Sequence, residues 1–358
     1  MCGHEPRRAL KHRCADAGLS IIELMVGVVI GLLVAMASVS SANIFNAMQR
    51  QGMSSGGAAV NSASALSALK NDATSAGLGF FGEGTYLCNT LNLSVGTTLH
   101  SNGASFSPVR ITTATAGDQI DVVFANQIAA GSTVLLNGTS TGAAAELRSL
   151  LPVAVNQAVL LAPDTPGNAC LVRTVTAVTP STAAARQQLT FASTGRHNGG
   201  TFTTNPLFLD RSRVTLLGDL VWRRYRLNGT NLVLEQPFDG TSAVLARNVV
   251  GFRAEYGTAA AAAGSTTLET WQPATGTTFA TLTQAGLPRV RAIRVGMVTR
   301  SPQREKPDAA GVCQASTDKP VLFGAVAEPD VADWRCFRYR TAVVVVPLRN
   351  LVLGYTPP

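Results

Sequence analysis

Side chains able to do chemistry are few and scattered. Of four histidines, His4 and His12 lie in a basic N-terminal segment, and His100 and His197 fall in expected loops. A Ser-His-Asp relay could draw only on the last two, and no nucleophile elbow lies near either. Both are expected to be exposed loop histidines. No C-x-x-C or H-x-x-x-H spacing occurs, so the strong zinc signatures are missing from the sequence. No P-loop is present to cradle a nucleotide's phosphates, which argues against an assembly motor. Asp164 to Asn168 and Asp239–Gly240 gather oxygens near turns but do not follow an EF-hand loop, and turn chemistry accounts for them. Arg223, Arg224 and Arg226 surround Trp222 and Tyr225. Strand alternation puts Arg224 and Arg226 on one face with Trp222. Such a face could touch nucleic acid, but a solvated strand face is the favoured reading, as for Arg335, Arg338 and Arg340. These observations assign no catalytic residue, cofactor or metal, and the expectation is a non-enzymatic protein.

The cysteines carry a different chemistry. Of six, Cys2 and Cys14 lie in the basic leader, leaving Cys88, Cys170, Cys313 and Cys336. An even set of four suits two disulfides in an oxidising compartment, although spacing allows three connectivities and selects none. Cys313–Cys336 is favoured because it closes a local loop, with Cys88–Cys170 following by default. The alternative is four buried thiols.

One further acid stands out by its surroundings. From Leu19 the chain reads LSIIELMVGVVIGLLVAMASV, about 21 residues interrupted by one charge, Glu23, and by Ser20 and Ser38 near its ends. As a helix at ~1.5 Å per residue this run matches a hydrocarbon core of ~30 Å. Arg7, Arg8, Lys11 and Arg13 against Glu5 and Asp16 give the first 18 residues +2 of the total +8, leaving +6 on the remainder. Basic residues ahead of the run predict a cytoplasmic N-terminus and export of the chain beyond it. Excess charge that small, spread over the rest of the chain, is a weak nucleic-acid signal. An ordinary secretory signal would be cut after the apolar run, and Ala35-Met36-Ala37 offers such a site. Against it stands Glu23, whose charge costs ~2.5–3.5 kcal/mol within a membrane and implies a partner. Gly27 and Gly31 form a G-x-x-x-G pair that would let another helix approach closely.

Gly18-Leu19-Ser20-Ile21-Ile22-Glu23-Leu24-Met25-Val26 resembles the class III signal of type IV prepilins and pseudopilins. The resemblance implies cleavage between Gly18 and Leu19 by a prepilin peptidase, N-methylation at Leu19, and retention of the helix. Glu23 would then be the fifth mature residue, pairing in the filament with the N-terminal amine of an adjacent subunit, which removes the penalty of one buried charge. Leu19 stands where the family most often has Phe.

Elements beyond the run must carry the rest. Charged residues are 14% of the chain against about 25% typically, with abundant Gly, Ala, Ser and Thr, a composition suited to a β protein outside the cytoplasm. Its length of 358 residues allows more than one core. The helix is expected to continue past Val39 through Ile44, Phe45 and Met48, with Gly52 and Gly56–Gly57 as weak points. A second piece over 58–76 carries Val60, Leu66 and Leu69 and ends at Gly77-Leu78-Gly79; one continuous helix or two pieces both remain open. Strands are expected at 118–126, 158–162, 170–178, 249–256, 290–299 and 339–348. A hairpin over 220–236 turns at Asn228–Gly229, a type I′ pair. Thr258–Thr267 reads as a mobile loop. The fold class is therefore α+β: leader 1–18, a long N-terminal helix over 19–78 (19–39 membrane-spanning), then a β-rich domain over 79–358.

LARNVVGFRAEYG, VRAIRVGMVTRSP and YRTAVVVVPLRN, with the earlier NDATSAGLGFFG, resemble the PilW family of large minor pilins, leaving about 90 to 210 unmatched. The resemblance implies a structural subunit that initiates or caps a type IV pilus. Its partners would be other minor and major pilins, the prepilin peptidase and the inner-membrane assembly platform, with a tip adhesin as a further candidate. It would start as a single-pass inner-membrane protein with its C-terminal domain in the periplasm, then reach the pilus and cell surface. A type II secretion or competence pseudopilin carries the same signal. From another class, a signal-anchored exported enzyme or binding protein predicts no cut after Gly18.

Overall fold

A largely apolar sequence with no proline, rich in Ala, Leu and Met, favours helix from Ile21 onward, and the computed structural model carries α1 over Ile21–Ser75. It describes residues 21–82, 85–86, 88–164, 168–180, 187–204, 206–260, 265, 267–282, 286–327 and 332–353. The leader, Gly18 and Leu19 lie outside these residues. Gly52, Gly56 and Gly57 do not interrupt α1. Each costs about 1 kcal/mol relative to Ala, and flanking residues carry that cost. The chain divides after Ser54 into two units.

In the first unit α1 is exposed over Ile21–Ala42, a stretch that is apolar on every side but for Glu23 and a few serines. The second begins with the last turns of α1, where Ala65, Leu66, Leu69, Ala73 and Ala76 form a buried stripe at helical spacing. Val60 lies off the Leu66–Leu69 side and is 68% exposed. Gly77 and Gly79 end the helix with positive φ, 80° and 88°. A Cβ on Gly79 would come within 2.7 Å of Leu217.

Strands then succeed one another almost continuously. They are β1 (Phe81–Gly82), β2 (Thr85–Tyr86), β3 (Thr90–Val95), β4 (Thr98–Ser105), β5 (Val109–Thr112), β6 (Gln119–Ala125), β7 (Thr133–Leu135) and β8 (Ala144–Leu147). Next come β9 (Ala158–Ala162), β10 (Cys170–Thr174), β11 (Ala177–Thr179), β12 (Gln187–Thr190), β13 (Arg213–Gly218), β14 (Leu220–Asn228) and β15 (Asn231–Gln236). The C-terminal part holds β16 (Thr241–Ala246), β17 (Val249–Thr258), β18 (Thr270–Pro273), the short α2 (Gly276–Phe279), β19 (Val290–Arg300), β20 (Val321–Leu322), β21 (Ala325–Val326), β22 (Tyr339–Pro347) and α3 (Arg349–Leu353). The fold is α+β.

Three larger sheets organise them, in orders β4-β3-β10-β9-β13-β7, β16-β15-β14-β6-β5 and β18-β17-β19-β22. A smaller ladder is β11-β12-β8. Among the described strands β3 and β10 pair in parallel and the others antiparallel. One core joins the buried stripe of α1 to Tyr225, Phe252, Tyr256 and Ile293 from the second and third sheets. Two further cores fill the first sheet's faces, around Leu161 and Phe208 on one side and Phe80 and Leu160 on the other. Asn350 of α3 donates to the carbonyls of Ser75 and Ala76 at 3.2 and 3.1 Å, occupying acceptors that the end of α1 would leave open.

Several expectations shift. The 170–178 segment splits into β10 and β11, because Val175 and Thr176 turn to pair with Gln157 and Thr190. In the β14–β15 hairpin Asn228 faces Asn231, so the turn pair is Gly229–Thr230. Gly229 has φ 58° and Thr230 is not among the positive-φ residues, the sign pattern of a II′ turn rather than I′. Thr258 belongs to β17 and is buried, with Thr270 as its neighbour; 261–264 and 266 of the expected loop lie outside the described residues.

Candidate assembly site

Thirteen large apolar side chains from Ile21 to Val39 are more than half exposed, from Val26 at 51% to Ile21 at 79%. Residues Ile21–Ala42 are long and apolar enough to cross a membrane. At about 0.3–0.6 kcal/mol each such side chains favour insertion by roughly 4–8 kcal/mol together. That exceeds the ~2.5–3.5 kcal/mol opposing an ionised acid. Insertion therefore tolerates Glu23 without explaining it.

Glu23, Gly27 and Gly31 succeed one another at four-residue steps, which lays them along one side of α1. A Cβ added at Gly27 or Gly31 would meet nothing within 4 Å, so no described part of the chain uses the close approach these glycines permit. An acid in line with two small residues can take a helix from outside the chain, with a cation to meet the acid.

The cysteines are joined Cys88 to Cys170 and Cys313 to Cys336, with Cα atoms 5.6 and 4.8 Å apart. Cys170 stands opposite Leu91 in the parallel β3–β10 pair, so the first bridge fastens the entrance of β3 to β10. The second closes the segment between β19 and β22.

Neither described histidine is exposed; His197 lies in a loop, as expected, and His100 in a strand. His100 lies in β4, edge-on to Trp222 and Phe238 with ring centres 5.9 and 5.2 Å away. His197 is 3% exposed and donates from Nδ1 to the Ser94 carbonyl at 2.7 Å. Burial lowers the pKa of both below the ordinary histidine value, leaving them neutral at pH 7. Arg173, also buried, donates to the carbonyls of Gly142 and His197. These groups bind loops together.

The basic clusters are largely satisfied within the protein. Trp222 and Arg224 both reach Asp121, Arg226 reaches Glu235 at 2.7 Å, and Arg223 points the other way, 3.9 Å from Asp72 of α1. Arg338 pairs with Glu305, Arg335 lies over Trp334, and Arg340 is exposed. Asp164 faces Arg213 at 3.8 Å and Asp239 faces Arg196 at 2.6 Å, while 165–167 lie outside the described residues. Among the described residues no group of three or more His, Cys, Asp or Glu is placed to hold a metal. Sequence reasoning missed Asp121; an acid inside the apolar strand QIDVVFA was the available signal.

Residues 219–350 match the model of the family described as type IV pilus-assembly protein W. The match runs from β14 to α3 and so takes in the three strand-bearing segments that resemble that family, while NDATSAGLGFFG lies outside it. No curated protein matches the sequence. Among solved structures, a type IV-like pilin from Thermus thermophilus is similar at 10% identity, covering 82% of this chain and 96% of that one, with a TM-score of 0.34.

Proposed function

We propose that the chain is a minor pilin. It enters the inner membrane through α1, is cut between Gly18 and Leu19 by a prepilin peptidase, and is methylated at Leu19. It then packs with other minor and major pilins to initiate or tip a type IV pilus. One observation carries this reading: an exposed apolar stretch of α1, Ile21–Ala42, whose single charge, Glu23, lies in line with Gly27 and Gly31, in a chain matching the PilW family over residues 219–350. The mechanism is assembly rather than turnover. Glu23 meets the cationic amine of a neighbour's N-terminus, and the paired charge is tolerated in the apolar filament core where a lone one is not.

In this reading residues 79–358 fold in the periplasm, where Cys88–Cys170 and Cys313–Cys336 can form, and later face the cell surface. The inner-membrane platform and a tip adhesin are the remaining partners. Mass spectrometry of the mature N-terminus, on protein from sheared filaments and from membranes, tests the proposal. The expected first residue is methylated Leu19. A start near Ser38, or an intact leader, would overturn it.

A further inference from the structure

Between the β3–β4 hairpin and the face of β5, β6 and β14 lies a cavity of about 330 Å³. That volume sits at the small-ligand end of the range for binding sites, about 300–1,000 Å³. Leu91, Leu93 and Val123 give it an apolar wall, and a row of charges crosses its other side. Arg110 of β5 faces Asp121 of β6, and Asp121 faces Arg224 of β14, so the three stand side by side across three strands.

Asp121 is 7% exposed and occupied from within. Its Oδ1 accepts Trp222 Nε1 at 2.8 Å and Arg224 Nε at 2.7 Å, and its Oδ2 accepts Gln119 Nε2 at 2.7 Å. The carboxylate thus fixes the orientation of three lining side chains. It leaves the terminal guanidinium nitrogens of Arg224 with no hydrogen-bond partner among the described residues, on a side chain 30% exposed. Arg110 is exposed and has no ion-pair partner among the described residues. Two cations against one saturated acid, with His100 neutral beside them, leave a positive lining rich in unspent N–H donors. Ser105 and Thr112 add hydroxyls. Arg224 already lies over the Trp222 ring, 5.5 Å from its centre, and Phe238 meets the indole edge-on, an arrangement poorly suited to stacking a nucleobase.

We propose that this cavity binds one acidic sugar residue, a polyhydroxylated ring bearing a carboxylate. Arg110 and Arg224 take the carboxylate, Gln119, Ser105 and Thr112 take ring hydroxyls, and Leu91 and Leu93 take the apolar edge of the ring. The site uses no part of the membrane-spanning helix and stands apart from the assembly role.

Titration of the full chain in detergent with sodium glucuronate, read by calorimetry and tryptophan fluorescence at constant ionic strength, tests it. Saturable binding is expected, with glucose and sodium acetate each weaker by about tenfold or more, because each lacks one half of the recognised chemistry. Arg110→Gln and Arg224→Gln should each weaken glucuronate by about tenfold, the loss expected when a charge-assisted hydrogen bond goes. Arg110 is exposed, so its variant keeps the fold, which a thermal melt checks. Arg226→Gln, whose guanidinium pairs with Glu235, should leave binding unchanged. Absence of saturable binding, acetate binding as tightly as glucuronate, or unaltered affinity in both cavity variants would each overturn the proposal.

Discussion

The Tyr225 hydroxyl donates a 2.6 Å hydrogen bond to Asp72 Oδ2, tying the last turns of α1 to the centre of β14. Tyr225 is fully buried, and burial together with the Asp72 carboxylate pushes its pKa far up, so it stays a donor. Burial raises the pKa of Asp72, outweighing the opposing pull of Tyr225 and Arg223. A carboxyl raised in the folded state contributes stability that is fully present below its unfolded pKa of ~3.9 and lost as pH rises through the folded value. Asp72→Asn, which keeps an acceptor for Tyr225, is therefore expected to be neutral or stabilising at pH 7 and to flatten the acid side of the stability curve. Tyr225→Phe should cost about 1.5–3 kcal/mol at pH 7, where it strands a charged acceptor, and less at pH 3. Thermal melts of the full chain at both pH values measure this, and an equal loss at both would remove Asp72's ionisation from the account.

The two disulfides should differ in weight. Bridges spanning 82 and 23 residues remove chain entropy worth about 4.5 and 3.4 kcal/mol on the loop-closure estimate. Cys88 and Cys170 are wholly buried, whereas Cys313 is 8% exposed. Cys88→Ser should therefore lower the melting temperature more than Cys313→Ser. In mild reductant, alkylation followed by peptide mapping should label Cys313 and Cys336 first. Labelling in the reverse order would contradict the burial argument.

Local pattern revealed some of this and concealed the rest. β6, β9, β17, β19 and β22 announce themselves by alternation or by continuous apolar runs. β4, with sequence TLHSNGAS, and β16, with TSAVLA, carry little such signal. They are held as strands by pairing with β3 and β15, and tertiary context overrides weak propensity. An even number of thiols beyond the basic leader was legible, but their pairing was not set by spacing. Asp121 acquires meaning only through Trp222 and Arg224, about a hundred residues along the chain, so no local window could show the cavity. His197 is a loop residue as expected, but its burial was hidden for the same reason: Ser94, which accepts its ring proton, is 103 residues away.

Asn350 offers a test of how the end of the chain holds α1. Its side-chain amide covers the carbonyls of Ser75 and Ala76, so Asn350→Ala leaves both short of a donor. The expected cost is about 1 kcal/mol, typical of a lost cap, with amide exchange quickening over 69–78 while the β19 core is unchanged. Uniform quickening across the domain would mean that the contact acts on global stability instead.

Glu23 separates insertion from assembly. The apolar run inserts with or without the acid, since its side chains outweigh the charge by a few kcal/mol. Glu23→Ala should thus leave membrane insertion and cleavage after Gly18 intact, and slightly favour residence in the bilayer. In the proposed assembly it removes the partner for a neighbour's N-terminal amine, leaving that cation alone in an apolar filament core, where breaking a buried pair costs about 3–5 kcal/mol. Processed protein should accumulate in the membrane while its share in sheared filaments falls by about a hundredfold or more, a fall of the size that energy implies. Glu23→Gln, which keeps shape and hydrogen bonding but not charge, should recover little of the loss. Gly27→Leu, in line with the acid on α1, should reduce incorporation through steric contact alone and leave cleavage unaltered. Quantitative blots of membrane and filament fractions distinguish these outcomes: normal incorporation of Glu23→Ala would show that the acid does not pair across subunits.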